Sequence, residues 1–245
     1  MSTVPATSTM GQRGTYAELG DACATAHAME LIGGRWTYPI VRELMLGPKR
    51  FNALMSSVRG ITPAVLTARL RELTRTGLVE PVPASAPNPL HAYALTPWAI
   101  QLAPILSQLG RWAQSSTTRS DLGGLTPDAV VQAMTTMAAD LTPRRSVHIR
   151  LHLFDSRTAR PADSEYCLRW TSEDFNAERA PCTDARTTVR CDSSVWGRVL
   201  FAGLALDESG AIITGAAAPV RVLVRGFQAR LRGRSNHMAL DATPF

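Results

Sequence analysis

The sequence predicts an α+β protein in two parts. Three observations carry this prediction. Residues 23 to 76 show short one-sided helical patterns separated by glycine turns, residues 147 to 154 switch to strict apolar/polar alternation, and Ser115 to Gly124 between them has the small, polar composition of a linker. The expected division is a first domain over residues 15–115, a linker over 116–124 and an α+β domain over 125–235. A chain of 245 residues, 45% hydrophobic, is long enough to bury two ordinary cores.

In the first part, two short helical patterns between Ala24 and Leu46 are separated by Gly33-Gly34. Gly47-Pro48 breaks the second. Phe51, Leu54, Met55 and Val58 then recur at i, i+3, i+4 and i+7, the stripe of a one-sided helix. After the turn Arg59-Gly60-Ile61, Thr62-Pro63 supplies an N-cap with proline at N1, and the run to Thr76 stops at Gly77. Two short helices joined by a tight glycine turn make a helix-turn-helix signature. Leu78–Val82 and Leu90–Leu95 read as two strands around a proline-rich loop, a wing, and Thr96-Pro97 caps a further helix with the stripe Leu102, Ile105, Leu106, Leu109 and Trp112.

In the second part a helix is expected over about 127–140, strands over 147–154, 165–171, 186–191 and 211–214, and helices over 193–204 and 219–231. No regular βαβ repeat appears, which is the α+β pattern.

The net charge of +6 and pI near 9.7 suit a polyanionic partner. Residues 1–120 hold 11 Lys plus Arg against 6 Asp plus Glu, so the excess lies in the first part. Projected on a helical wheel, Thr62–Thr76 puts Leu66, Leu70 and Leu73 on one face and Ala64, Thr67, Ala68, Arg71 and Arg75 on the other. The second face, with Thr62 at its start, is the candidate for major-groove readout, since an arginine fork matches guanine and small apolar groups meet thymine methyls. Arg69 on the flank, with Lys49 and Arg50 opening the preceding helix, are candidate phosphate contacts. Asn88 and His91 are the polar candidates of the wing, which has no Lys or Arg between Leu78 and Tyr93.

The blocks Gly33–Thr37, Gly47–Leu54, Gly60–Leu73, Gly77–Val79 and Pro87–Pro89 leading to Tyr93–Thr96 resemble HxlR-type winged helix-turn-helix regulators over about 90 residues. The resemblance implies a homodimer on double-stranded DNA, at a pseudo-palindromic operator, with the helix from Thr62 in the major groove. Cys23 stands where such proteins often carry a sensing cysteine, although Ala24 replaces the proline that commonly follows. Only His27 nearby could lower its pKa, so the expectation is a buried structural thiol, with a redox sensor as alternative.

Residues 125–232 resemble the sterol-carrier-protein fold, through the strands Val147–Phe154 and Tyr166–Thr171, the stretch Thr188–Trp196, and Gly203–Ala205 and Gly210–Gly215. That resemblance implies an apolar tunnel walled by Trp170, Trp196, Leu200, Leu223 and Phe227 for a small hydrophobic effector, or a carrier function for the whole chain.

Other classes are not indicated. The four cysteines form no CxxC pair, so free thiols, no metal and no disulfide framework are expected. His148 and His152 on one strand face stand about 13 Å apart, too far for one ion. No GxSxG, phosphate loop or HExxH occurs, so no enzyme and no cofactor are read. No window reaches a membrane span and no leader pattern is visible, which gives the expectation of a cytoplasmic protein.

Overall fold

The computed structural model describes residues 15–16, 18–83, 91–114, 116, 118, 123–139, 141–159 and 161–240, the last eleven as backbone only. The wing tip with Asn88, and most of the expected linker, lie outside the described residues. Helices α1 (Ala24–Ile32) and α2 (Thr37–Leu44) precede strand β1 (Lys49–Arg50), α3 (Phe51–Ser57) and α4 (Pro63–Arg75). Strands β2 (Val79–Val82) and β3 (Ala92–Leu95) then form an antiparallel pair, and β1 adds to the other side of β3, giving the order β1-β3-β2. Apolar residues at helical spacing converge on one core of Ile40, Val41, Leu44, Leu54, Leu66, Leu70, Leu73, Leu78 and Leu95. The helix after Thr96 is not continuous. It breaks at Gln101 into α5 (Pro97–Ile100) and α6 (Leu102–Ala113).

The second part is one five-stranded sheet with helices packed on one face. Its elements are α7 (Pro127–Ala138), β4 (Val147–Phe154), β5 (Ser164–Trp170), β6 (Phe175–Glu178), β7 (Thr188–Asp192), α8 (Ser193–Phe201), β8 (Ile212–Thr214) and α9 (Ala217–Leu240), in strand order β6-β5-β4-β7-β8. Among the described residues only β4 and β7 pair parallel, with Leu151 opposite Val189. The alternation along β4 sends Val147, Ile149, Leu151 and Leu153 into the core beneath Val131 and Met134 of α7, Trp196 and Leu200 of α8, and Leu223 and Phe227 of α9. His148, Arg150, His152 and Phe154 take the other, half-buried face. Gly226 lets α9 lie close on Trp170, since a Cβ there would sit 2.5 Å from the indole ring.

Two departures from the sequence reading have local causes. β6 has no β-branched residue to announce it, and forms because Thr171 and Asp174 close a turn that returns the chain along β5. α9 runs to Leu240 rather than stopping near 231, because no proline follows Pro219 before Thr243-Pro244. No helix of the described residues is long and apolar enough to cross a membrane.

Candidate nucleic-acid interface

The interface candidate is built by local signals. Ile61 N–H closes the turn on the Val58 carbonyl at 3.3 Å, and Gly60 takes φ +81° there, a value only glycine adopts freely. Thr62 Oγ1 accepts from Val65 N–H at 3.4 Å, and Pro63 opens α4 with no N–H to leave unpaired. Leu66, Leu70 and Leu73 fix the buried face. The opposite face is thereby turned outward: Thr62, Ala64, Ala68, Arg71 and Arg75 are exposed and Thr67 is half-buried among them. His91 is exposed at the foot of the wing, and Arg50 at the end of β1.

Arg69 and Lys49 are placed differently from the reading above. The Arg69 guanidinium donates to Glu72 Oε2 at 2.8 Å and lies against Gly34, in the turn between α1 and α2, so it braces that turn rather than projecting freely. Lys49, expected at the DNA backbone, is turned inward. Its side chain is 12% exposed, and its ammonium lies 2.6 Å from Glu43 Oε2 and 2.8 Å from Asp128 Oδ2. Two carboxylates thus compensate the charge of this largely buried lysine.

The cluster around Lys49 was not foreseen, and it joins the two parts of the chain. Glu43, fully buried on α2, also accepts from Arg42 at 3.1 Å and from the Thr126 hydroxyl at 2.6 Å. Burial pushes the Glu43 carboxyl up, but Lys49 and Arg42 outweigh it and hold it below the usual carboxylate range. Asp128, in the first turn of α7, accepts from Arg179 Nη1 at 2.8 Å and from the Tyr166 hydroxyl. Burial, and then the Asp128 charge, push the Tyr166 phenol above its usual range, so it stays a neutral donor. Arg179 Nη2 donates to the Pro48 carbonyl at 3.0 Å, and Gln132 Nε2 to the Arg42 carbonyl at 2.5 Å. One signal in the sequence pointed here: Glu43 lies three residues after Ile40, on the apolar face of α2.

Cys23 is exposed rather than buried. It stands at the N-cap position of α1, and the backbone N–H groups of Ala26 and Thr25 at the helix start lower its thiol pKa. Cys191 is buried, and desolvation pushes its thiol up to about 11. Cys167 and Cys182, expected as free thiols, are joined as a disulfide.

The five proposed tunnel walls are core residues. Trp170, Trp196, Leu200, Leu223 and Phe227 are each at most 3% exposed, and the Trp170 and Phe227 rings meet at a 40° tilt with centroids 5.5 Å apart. Among the described residues, the cavities beside Met29, Arg59, Lys49 and Trp36 are lined by none of the five. The most apolar of the four, about 410 Å³, lies between α1, α2 and α6 against Met29, Tyr38, Val41, Leu102, Leu106 and Leu109.

Comparison with known proteins matches the same region. The family model for the HxlR-like helix-turn-helix covers residues 31–121. The uncharacterized HTH-type transcriptional regulator Rv3095 of Mycobacterium tuberculosis (strain ATCC 25618 / H37Rv) is 35% identical over 98 residues, 40% of this chain and 61% of that protein. The chain thus spans less than two thirds of the length of that relative. The uncharacterized HTH-type transcriptional regulator YkvN of Bacillus subtilis (strain 168) is 35% identical over 91 residues, 37% of this chain and 77% of that protein. The reduced form of the regulator YodB of B. subtilis is 29% identical over 41% of this chain and all of its own, at a TM-score of 0.36. With a helix-turn-helix and hairpin built at the residues the family model spans, and a relative matched over most of its length, the chain belongs to the HxlR-like helix-turn-helix family.

Proposed function

We propose that this protein is a sequence-specific DNA-binding transcription regulator rather than an enzyme, with α4 in the major groove of a pseudo-palindromic operator. The observation that carries the reading is the outward face of α4. Arg71 and Arg75 stand beside small groups at Ala64, Thr67 and Ala68, on a helix whose other face is locked into the core. Arg71 reads a base with Arg75 on the same face, Arg50 holds a phosphate, and His91 with Asn88 serve the wing. The homodimer forms through α1, α2 and α6, where Met29, Tyr38 and Leu109 are exposed around the most apolar cavity and Ile105 is exposed on α6.

The second part is the regulatory part of this reading. Its sterol-carrier likeness rests on residue order, and an apolar effector held at Trp170, Trp196 and Phe227 would have to displace packed side chains. Coupling to DNA binding runs instead through the cluster of Glu43, Lys49 and Asp128, which ties α7 to α2 and β1. The test is selection of bound fragments from genomic DNA, followed by gel shifts. A defined two-fold-symmetric site bound by a dimer supports the reading. Binding that stays independent of sequence and vanishes at moderate salt overturns it.

A further inference from the structure

We infer that His148, Cys167, Cys182 and Asp184 form a zinc site on the polar face of the second sheet. The four come from separate places. His148 is on β4, Cys167 on the neighbouring β5, and Cys182 and Asp184 on the irregular connection between β6 and β7. One donor atom from each lies within 4.8 Å of all the others. His148 Nε2 is 3.6 Å from the Cys167 sulfur, 3.5 Å from the Cys182 sulfur and 3.4 Å from Asp184 Oδ1. A tetrahedral zinc with bonds of about 2.3 Å to sulfur and about 2.0–2.1 Å to nitrogen and oxygen requires edges of about 3.5 Å between N and S and about 3.4 Å between N and O. All three distances from the imidazole match those edges.

The surroundings also fit a metal. Arg169 Nη2 donates to Asp184 Oδ2 at 2.8 Å, which leaves Oδ1 turned to the imidazole. Arg150 Nε donates to the Cys182 carbonyl at 2.7 Å, and Cys182 N–H donates to Glu165 Oε1 at 3.0 Å, so the cysteine backbone is held against the sheet. Two thiolates and a carboxylate around Zn²⁺ leave one net negative charge, which Arg169 offsets, since Arg150 is paired with Glu165 at 3.3 Å. Two thiolates and one imidazole are a donor set that selects zinc over calcium or magnesium. The Cys167–Cys182 bond accounts for one pair of the four atoms and leaves the convergence of His148 and Asp184 on both sulfurs unexplained.

Disulfide and zinc site are exclusive states of one place. A dithiol reductant supplies two electrons and two protons, breaking the S–S bond to two thiols while it becomes a disulfide itself. Zn²⁺ then replaces both thiol protons, which leave to solvent, and forms two Zn–S bonds, one Zn–N bond to His148 and one Zn–O bond to Asp184. In that state the metal staples the 179–187 connection to β4 and β5.

The experiment is elemental analysis of the full chain, purified with a dithiol reductant and equilibrated with zinc. About one zinc per chain is expected, together with two fewer thiols open to alkylation than after chelation. Cys182→Ser should lose the metal, and Cys23→Ser should keep it. Asp184→Asn changes an exposed side chain, so it keeps the fold and should weaken zinc affinity by about tenfold or more. A reduced, folded chain that stays metal-free overturns the inference. So does zinc retained by Cys182→Ser or held with unchanged affinity by Asp184→Asn, a preference for another metal, or a Cys167–Cys182 bond that survives the reductant.

Discussion

The Lys49 ammonium lies 2.8 Å from Asp128 Oδ2, an ion pair that crosses from the strand leading into α3 to the first turn of α7. It is buried, and it is doubled by the contact with Glu43 at 2.6 Å. Lys49→Met therefore leaves two buried carboxylates short of a cation. A loss of about 3–5 kcal/mol of stability is expected, measured by urea unfolding of the full chain. Any loss of DNA affinity should follow the unfolding curve and leave the salt slope intact. A stable variant with a reduced slope would return Lys49 to the phosphate contacts.

The same cluster sets an acid limit. Glu43 sits below its ordinary value of 4.5 in the folded chain, so folding favours its ionised form. The stability it contributes is complete above that ordinary value and is lost as pH falls through the lower folded value. Melting temperature should drop on acidification below about pH 4.5, and Glu43→Gln should flatten that part of the profile while lowering stability at neutral pH. An unchanged acid slope in the variant would show that Glu43 is not ionised in the fold.

On the exposed face of α4, arginines are expected to separate by role. Arg71→Ala should weaken specific binding by about 1–3 kcal/mol and relax one operator position. Arg50→Ala should weaken binding to all sequences alike and reduce the salt slope by about one. Anisotropy titrations at several salt concentrations on operator and scrambled DNA distinguish these outcomes. The opposite pattern, altered base preference from Arg50 and altered slope from Arg71, would exchange the roles.

How far the sequence reaches depends on the range of the interaction. Thr62-Pro63, Gly60 and the Leu66-Leu70-Leu73 stripe act within a few residues, so α4 and its outward face are legible from the chain alone. The alternation of β4 is equally local. Lys49 looked like a surface charge because its partner Asp128 is 79 positions away, and only the packing of α7 on α2 brings them together. Cys167 and Cys182, 15 residues apart, have no short motif; the β4–β5 register and the return of the chain after β6 make them neighbours. The five residues read as tunnel walls pose a related problem, because large apolar residues on a sheet or on the helices facing it read alike whether they line a cavity or fill a core.

Trp196 tests that last distinction. Its ring is fully buried and its Nε1–H has no hydrogen-bond partner. Trp196→Phe removes an unpaired donor along with part of the ring, so the two effects oppose each other and a loss below about 2 kcal/mol is expected. Trp196→Ala, which opens a core cavity, should cost about 3–5 kcal/mol. A tryptophan lining a tunnel would behave otherwise, with the alanine variant nearly as stable as the parent.

The second part should fold when cut from the first, at reduced stability. Its buried core consists entirely of residues from Val130 onward, so residues 123–240 carry every fully buried apolar side chain of that core. The cut removes the Leu46 side chain, which packs on that core, and a set of polar contacts. Asp128 loses Lys49, Thr126 loses Glu43, Gln132 loses the Arg42 carbonyl and Arg179 loses the Pro48 carbonyl. Asp128 keeps Arg179 and Tyr166 and gains access to water, so its charge is not stranded. The fragment is expected to melt cooperatively, below the temperature at which that part melts in the full chain. Asp128→Asn should lower the melt of the full chain more than that of the fragment, because Lys49 is present only in the former. A fragment without a cooperative transition would mean that the buried charges, rather than the apolar core, hold the second part together.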